Sequence, residues 1–288
     1  MIETGLILAF IVAMMKGLQS VYQRKDALDT DEFVTAFSSR MFGIPVLIAA
    51  LFYTGIPDLS VRFFMLAIPL GAVTAFASVL IAKAYKESDA SIVTPMFAVS
   101  PILVLFTSFI MLGEVPDVMG GVGVFLIAIG AYALKLDEST SPLEPLKRLW
   151  DEKGVRIIMV VILLYSVTAN IDKIGVQMSS PVMWPLATYT ISSVFMLPLM
   201  MKKSPQWKSK IKKEWKPLGL LGLLGGAAII LQMAALELTL VSYVISIKRL
   251  SIPIAVAFSY FMLGEKSGFK DRMIGSLLMV AGVLLISI

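Results

Sequence analysis

Apolar residues along this chain neither alternate, as in a half-buried strand, nor keep to one stripe of a surface helix. They run in blocks of roughly 17 to 22 residues separated by short polar breaks. Ten blocks can be marked, at about 3–23, 33–53, 63–83, 91–111, 118–135, 156–176, 183–201, 217–237, 242–262 and 273–288. Each approaches the length a helix needs to cross a bilayer, where a helix satisfies its own backbone groups. The pattern predicts an all-α membrane protein with ten transmembrane helices. Pro45, Pro69, Pro101, Pro198 and Pro253 interrupt several blocks, which a bundle interior accommodates because neighbouring helices serve the freed backbone groups.

The fourth and ninth blocks match each other. Residues 91–114 and 242–265 align at an offset of 151, with eight identities in 24 positions. These include Ser91 with Ser242, Ser100 with Ser251, and the run Met111 to Glu114 (MLGE) with Met262 to Glu265. Gly123 and Gly130 continue the match to Gly275 and Gly282 after a one-residue slip. An internal repeat of five helices follows, and an odd number forces the second copy to enter the membrane upside down relative to the first. The expected organisation is two inverted five-helix repeats, 1–136 and 155–288. They are joined by a polar linker, 137–154, that is either a short interfacial segment around Pro142, Pro145 and Trp150 or a plain connection.

Composition agrees with the membrane reading: 58% of residues are hydrophobic and 16% charged, against about 25% charged in a soluble domain. The first block begins within a few residues of Met1 without a charged leader region or a clear cleavage site, and is expected to be a span. With neither Cys nor His, disulfides, thiol or imidazole metal sites, Cys nucleophiles and Ser-His-Asp triads are excluded. No cofactor and no metal are expected, and an enzyme would have few groups to work with. The net charge of +5 does not point to nucleic acid, because 19 of the 25 basic residues sit in alternate loops and only Arg62 sits in the opposite ones. The positive-inside rule places the basic loops in the cytoplasm and both termini outside. One of these loops carries seven lysines with Trp207 and Trp215, a composition suited to the headgroup level beside anionic lipid.

Five basic residues remain, all within the blocks: Lys16, Arg40, Lys173, Lys248 and Arg249. The adjacent pair Lys248-Arg249 lies about 7 residues into the ninth block, roughly 10 Å deep at ~1.5 Å per residue. Two cations at that depth require a wet cavity, a partner acid or a bound anion. The alternatives are an internal ion pair with Glu237 or Asp172, or a lysine reaching for the surface. Lys16 and Arg40 either line a cavity or, with Gln19, Ser20 and Gln23, belong to a polar seam between halves. Asp172 and Lys173 could neutralise each other. Glu114 and Glu265, at equivalent positions, are expected to brace neighbouring helices. Tyr85, Tyr165, Tyr189 and Tyr243 are stacking candidates or interface anchors, and the 18 methionines are adaptable packing.

The two MLGE ends, the run from Ala82 to Tyr85 leading to Ser91, and the polar stretch from Thr168 to Lys173 resemble the drug/metabolite transporter superfamily in its ten-span EamA-type branch, over essentially the whole chain. The Lys248-Arg249 pair is similar to the pair with which organophosphate-exchanging members hold phosphate. Phe97 and Ala98 stand at those places in the first repeat. The resemblance implies a transporter of a prokaryotic cell membrane, drawn with both termini in the cytoplasm, opposite to the charge count.

The resulting expectation is a secondary transporter that moves a small polar, anionic metabolite by alternating access. Lys248 and Arg249 hold the anionic group, Lys16, Arg40 and Lys173 add positive potential, and Gln19 and Tyr189 shape the pocket. Asp172 and Glu237 are the candidate proton carriers. The rival readings are an exporter of amino acids or other hydrophobic metabolites and a membrane scaffold that moves no solute. The partners expected are the metabolite and the lipid bilayer, with no nucleic acid.

Overall fold

A computed structural model describes residues 2–25, 31–88, 93, 96–134, 151–263 and 269–288. Most of the linker 137–154, together with Ser91, Gly264 and Glu265, lies outside them. Every regular element among the described residues is helical. The first half contains α1 (Ile2–Lys25), α2 (Glu32–Met41), α3 (Ile44–Thr54), α4 (Val61–Glu87), a 3-10 turn (Phe97–Val99), α5 (Ser100–Leu112) and α6 (Val118–Ala133). The second contains α7 (Lys153–Gln177), α8 (Met183–Lys203), a short α9 (Trp207–Lys213), α10 (Trp215–Leu238), α11 (Val241–Lys248), α12 (Ser251–Leu263) and α13 (Phe269–Ser287).

Among the described residues, seven segments are long and apolar enough to cross a membrane, two of them being the pairs α2 with α3 and α11 with α12; three shorter apolar helices accompany them. Large apolar side chains point outward along these helices, among them Phe52, Phe109, Ile110 and Leu277, as expected where lipid is the solvent. The chain is an integral, multi-pass membrane protein. The second block of the sequence is two helices because Gly43 and Pro45 fall at its middle. Proline has no N–H to give to the preceding turn, so it sits in the first turn of α3.

Contacts sort the helix ends onto two faces. On one, Asp31 meets Ser204 and Lys210, and Ser88 meets Glu152 and Gly154. On the other, Glu114 meets Lys173 and Val241, and Lys173 reaches the Thr239 carbonyl. The first face carries Lys83, Lys86, Lys153 and the lysine-rich α9 region, and is called here the basic face.

The halves interlock. Helix α1 packs on α10, and α4 packs on α7; α1 also packs on α12, and α5 on α7. The tightest seam joins α6 to α13, where a Cβ on Gly123 would lie 2.5 Å from the Gly282 carbonyl and one on Gly130 would lie 2.5 Å from that of Gly275. Only glycine lets two backbones approach so closely. Because 123 meets 282 and 130 meets 275, the two helices run antiparallel, each glycine facing the repeat-mate of the other glycine on its own helix. That reciprocity is what a two-fold relation between halves produces.

Candidate functional site

The ninth block breaks at its charged pair. Helix α11 ends at Lys248, Arg249 caps it in a turn, and α12 begins at Ser251 with Pro253 in its first turn. The first half breaks at the equivalent place, where the 3-10 turn Phe97–Val99 gives way to Ser100 and Pro101. Discontinuous helices of this kind bring backbone ends and polar side chains to mid-membrane depth. A cation at the end of α11 also complements the partial negative charge of that terminus.

Two cavities meet at this break. The larger, about 490 Å³, runs from Asp172 and Thr188 toward the basic face, with Arg40, Tyr165, Tyr189, Lys248 and Arg249 on its walls and the exposed Glu32 at its rim. The smaller, about 340 Å³, is lined by Lys16, Gln19, Ser20, Lys248, Arg249 and Ser251 and holds no acid. Lys248 and Arg249 line both, so they form the partition.

Four cations thus face buried space. The Lys248 ammonium donates to Gln232 Oε1 at 3.0 Å, and Lys16 donates to Gln19 Oε1 at 3.0 Å. Gln19 in turn donates to the Leu221 carbonyl at 2.8 Å, which fixes α1 against α10. Arg40 donates to the Ala36 carbonyl at 2.9 Å and to Ser78 at 3.3 Å. Arg249 donates to the Ser100 hydroxyl, at the matching break of the other half, while its buried Nε has no hydrogen-bond partner. Among the described residues, no carboxylate lies within 4.0 Å of any of these four cationic groups. Neutral partners orient the charges without neutralising them.

The other expected residues lie elsewhere or are differently engaged. Lys173 lines neither cavity; it pairs with Glu114. Asp172 does not neutralise its neighbour Lys173, because adjacent helical residues point about 100° apart. Its carboxylate accepts instead from Trp184 Nε1 at 2.8 Å. Trp184 is completely buried and edge-on to Phe63. Glu237 is exposed near the end of α10 and reaches neither cavity nor the Lys248-Arg249 pair. Tyr85 is exposed on the basic side of α4, and Tyr243 lies against Gly120 on α6. Glu114 is a brace: Gly113, at φ 68°, ends α5 in a left-handed turn, and Glu114 then reaches Lys173 and the Val241 amide.

Ser100, Gln232, Thr74 and Ser192 also belong to the cavity wall and were not singled out from the sequence. Ser100 could have been, since it matches Ser251 in the repeat. Isolated polar residues in apolar blocks, such as Gln232, carried a weaker signal of the same kind.

A polar, cation-rich hollow within a helical membrane bundle is the form of a site for a polar solute. The EamA-like transporter family profile matches residues 3–136 and again 152–288; the chain belongs to that family, which is one of membrane transporters of the drug/metabolite type. Among solved structures, one titled only as the crystal structure of a protein superposes with a TM-score of 0.81 at 13% identity, covering 100% of this chain and 98% of the other. At that identity the likeness speaks to the fold alone. No curated protein matches.

Proposed function

We propose that the chain is a secondary transporter that carries a small, polar, anionic metabolite by alternating access. The observation that supports this most is the set of four half-buried cations on two joined cavities, with no carboxylate in contact among the described residues. Uncompensated charge at such depth costs several kcal/mol, and an anionic solute offsets it. Arg249 offers a planar fork and Lys248 a point charge, which together suit a phosphate or carboxylate head. Lys16 and Arg40 add positive potential from either side, Gln19 orients Lys16, and Tyr189 shapes the wall where the body of the solute would lie. We leave Lys173 and Glu237 out of the site. Asp172 stays as the one candidate proton carrier.

The architecture we infer is ten spans in two inverted five-helix halves, 1–136 and 155–288, joined by 137–154. The short helices α5, α6 and α13 are counted as spans because α6 and α13 pack antiparallel along their lengths, and α5 with the turn before it takes the place in the first half that α11 and α12 take in the second. In this arrangement the cavity opens to the basic face, which the charge bias assigns to the cytoplasm, and the Glu114–Lys173 contact closes the other. Rocking of the halves about the pair would expose it to each side in turn.

One observation favours a second reading. Asp172 shares the larger cavity with Lys248, so a zwitterion could place its carboxylate on the cations and its ammonium on Asp172, as an amino-acid exporter requires. A thermal-shift series on the purified protein separates the readings. Glucose 6-phosphate and succinate are expected to raise the melting midpoint, and leucine and glucose to leave it unchanged. K248Q/R249Q should abolish the shift. A response to leucine alone, lost in D172N, would establish the zwitterion reading, and absence of flux for every binder in proteoliposomes would leave a scaffold.

A further inference from the structure

The basic face carries a second feature that the transport reading does not use. Residues 202–216 contain seven lysines against one acid, Glu214, and link the ends of two spans, α8 and α10. The short helix α9 within it is two-sided. Trp207 and Ile211, one turn apart, pack against the apolar cluster that includes Phe33, Val34 and Phe37 of α2, and α9 touches α2, so the helix lies against the bundle. Lys202, Lys203, Lys208, Lys212, Lys213 and Lys216 are exposed, and Lys208 and Lys216 lie over the rings of Trp207 and Trp215 at 5.4 and 5.8 Å. Lysines interleaved with indole rings at the membrane ends of two helices occupy the level of the lipid headgroups.

The seventh lysine turns inward. Lys210 donates to Asp31 Oδ2 at 3.1 Å, the same oxygen that accepts from Ser204 at 2.5 Å. The other oxygen of Asp31 caps α2 by accepting from the Phe33 and Val34 amides, each at 3.0 Å. Helix α2 carries Arg40 and places Glu32 at the cavity rim. The basic segment is therefore fastened to the helix that forms the cavity mouth.

We propose that residues 202–216 are a docking surface for the anionic lipid headgroups of the leaflet they face, and that docking steadies the start of α2 through Lys210 and Asp31. The charge complementarity is one-sided: six exposed ammonium groups face a surface whose charge is negative where the lipid is anionic. The surface is separate from the solute site, so the proposal stands whichever solute is carried.

The test uses the full chain in detergent, titrated with dioleoylphosphatidylglycerol or dioleoylphosphatidylcholine while the melt is followed. The glycerol lipid should raise the midpoint by several degrees and the choline lipid should not. K208Q/K212Q/K213Q should lose at least about half of that shift, whereas K83Q/K86Q, which removes exposed charge from the same face, should keep most of it. K202Q/K203Q/K216Q provides the same comparison where the first triple does not fold. Equal shifts in all variants, or an equal shift with inorganic phosphate, would overturn the proposal. Amide exchange over residues 33–37 should slow with phosphatidylglycerol in the wild type and not in K210Q; unchanged exchange in the wild type would remove the link to α2.

Discussion

The ammonium of Lys173 lies 2.5 Å from Glu114 Oε1, with both side chains largely buried, and the pair ties the end of α5 to α7 across the two halves. The other carboxylate oxygen of Glu114 accepts from the Val241 amide at 2.9 Å, and Lys173 also donates to the Thr239 carbonyl at 2.8 Å. Four helices, α5, α7, α10 and α11, are thus gathered at one point on the face opposite the cavity mouth. On the alternating-access reading proposed above, a contact so placed acts as a latch: for the cavity to open on that face, this set of bonds must be exchanged for water.

Breaking the latch from one side leaves an uncompensated charge in a nearly dry position. Removing one member of such a pair typically costs about 3–5 kcal/mol. K173M is expected to lower the melting midpoint by several degrees, with E114Q milder because its amide still accepts from Val241. The charge swap E114K/K173E should recover part of the loss. A swap no more stable than either single variant would mean that the flanking backbone bonds, and not the ion pair, hold this end closed.

The α6–α13 seam gives a cleaner steric prediction. A methyl on Gly130 would meet the Gly275 carbonyl at 2.5 Å, and backbone cannot swing aside. G130A should separate the two helices at a cost of about 1–3 kcal/mol. G121A, on the same helix with nothing within 4 Å of its added methyl, should be neutral or slightly stabilising. Melting curves of the two variants under one condition decide it, and similar values would show that the seam is looser than its backbone distances.

Much of this fold was legible because the bilayer imposes long apolar blocks and because the repeat kept its glycines and its MLGE end. The MLGE run reads as the end of a span, and the Lys248-Arg249 pair as charge in need of a cavity, a partner acid or a bound anion. What the chain could not disclose is pairing between distant positions. Glu114 and Lys173 are 59 residues apart, and Arg249 and Ser100 are 149 apart. Lys173 looked like a site residue because a lysine in a span has the same appearance whether it meets a solute or a glutamate. Asp172 and Lys173 looked like partners because they are adjacent, which on a helix turns them away from each other.

Asp31 supplies a pH prediction outside the spans. Burial alone would raise its carboxyl, but hydrogen bonds from Ser204 and the Val34 amide, with the Lys210 ammonium, outweigh it and hold the group below the ordinary carboxylate range. A carboxyl whose folded pKa is depressed contributes stability that is present above its unfolded value and lost as pH falls through the folded one. The wild type should therefore lose more stability on acidification below about pH 4 than D31N does. At neutral pH, D31A should cost about 0.5–2 kcal/mol through the lost cap of α2. Parallel melts of wild type and D31N across the acid range check the sign; identical acid profiles would refute it.

The absence of cysteine makes the cavity itself testable by labelling, since any introduced thiol is the only one in the protein. A thiol reacts with a maleimide as thiolate, which needs water around it. S192C, on the wall of the larger cavity, should therefore react with a charged, membrane-impermeant maleimide, while A128C, in the dry α6–α13 region, should not. I81W, which adds bulk on the cavity wall toward the basic face, should slow the reaction of S192C several-fold without a comparable loss of stability. In sealed vesicles of known orientation the reagent should reach S192C from the basic face, and K173M should increase access from the opposite one. Reaction from that opposite face in the wild type, at a rate K173M does not change, would mean that Glu114 and Lys173 brace the fold without closing it.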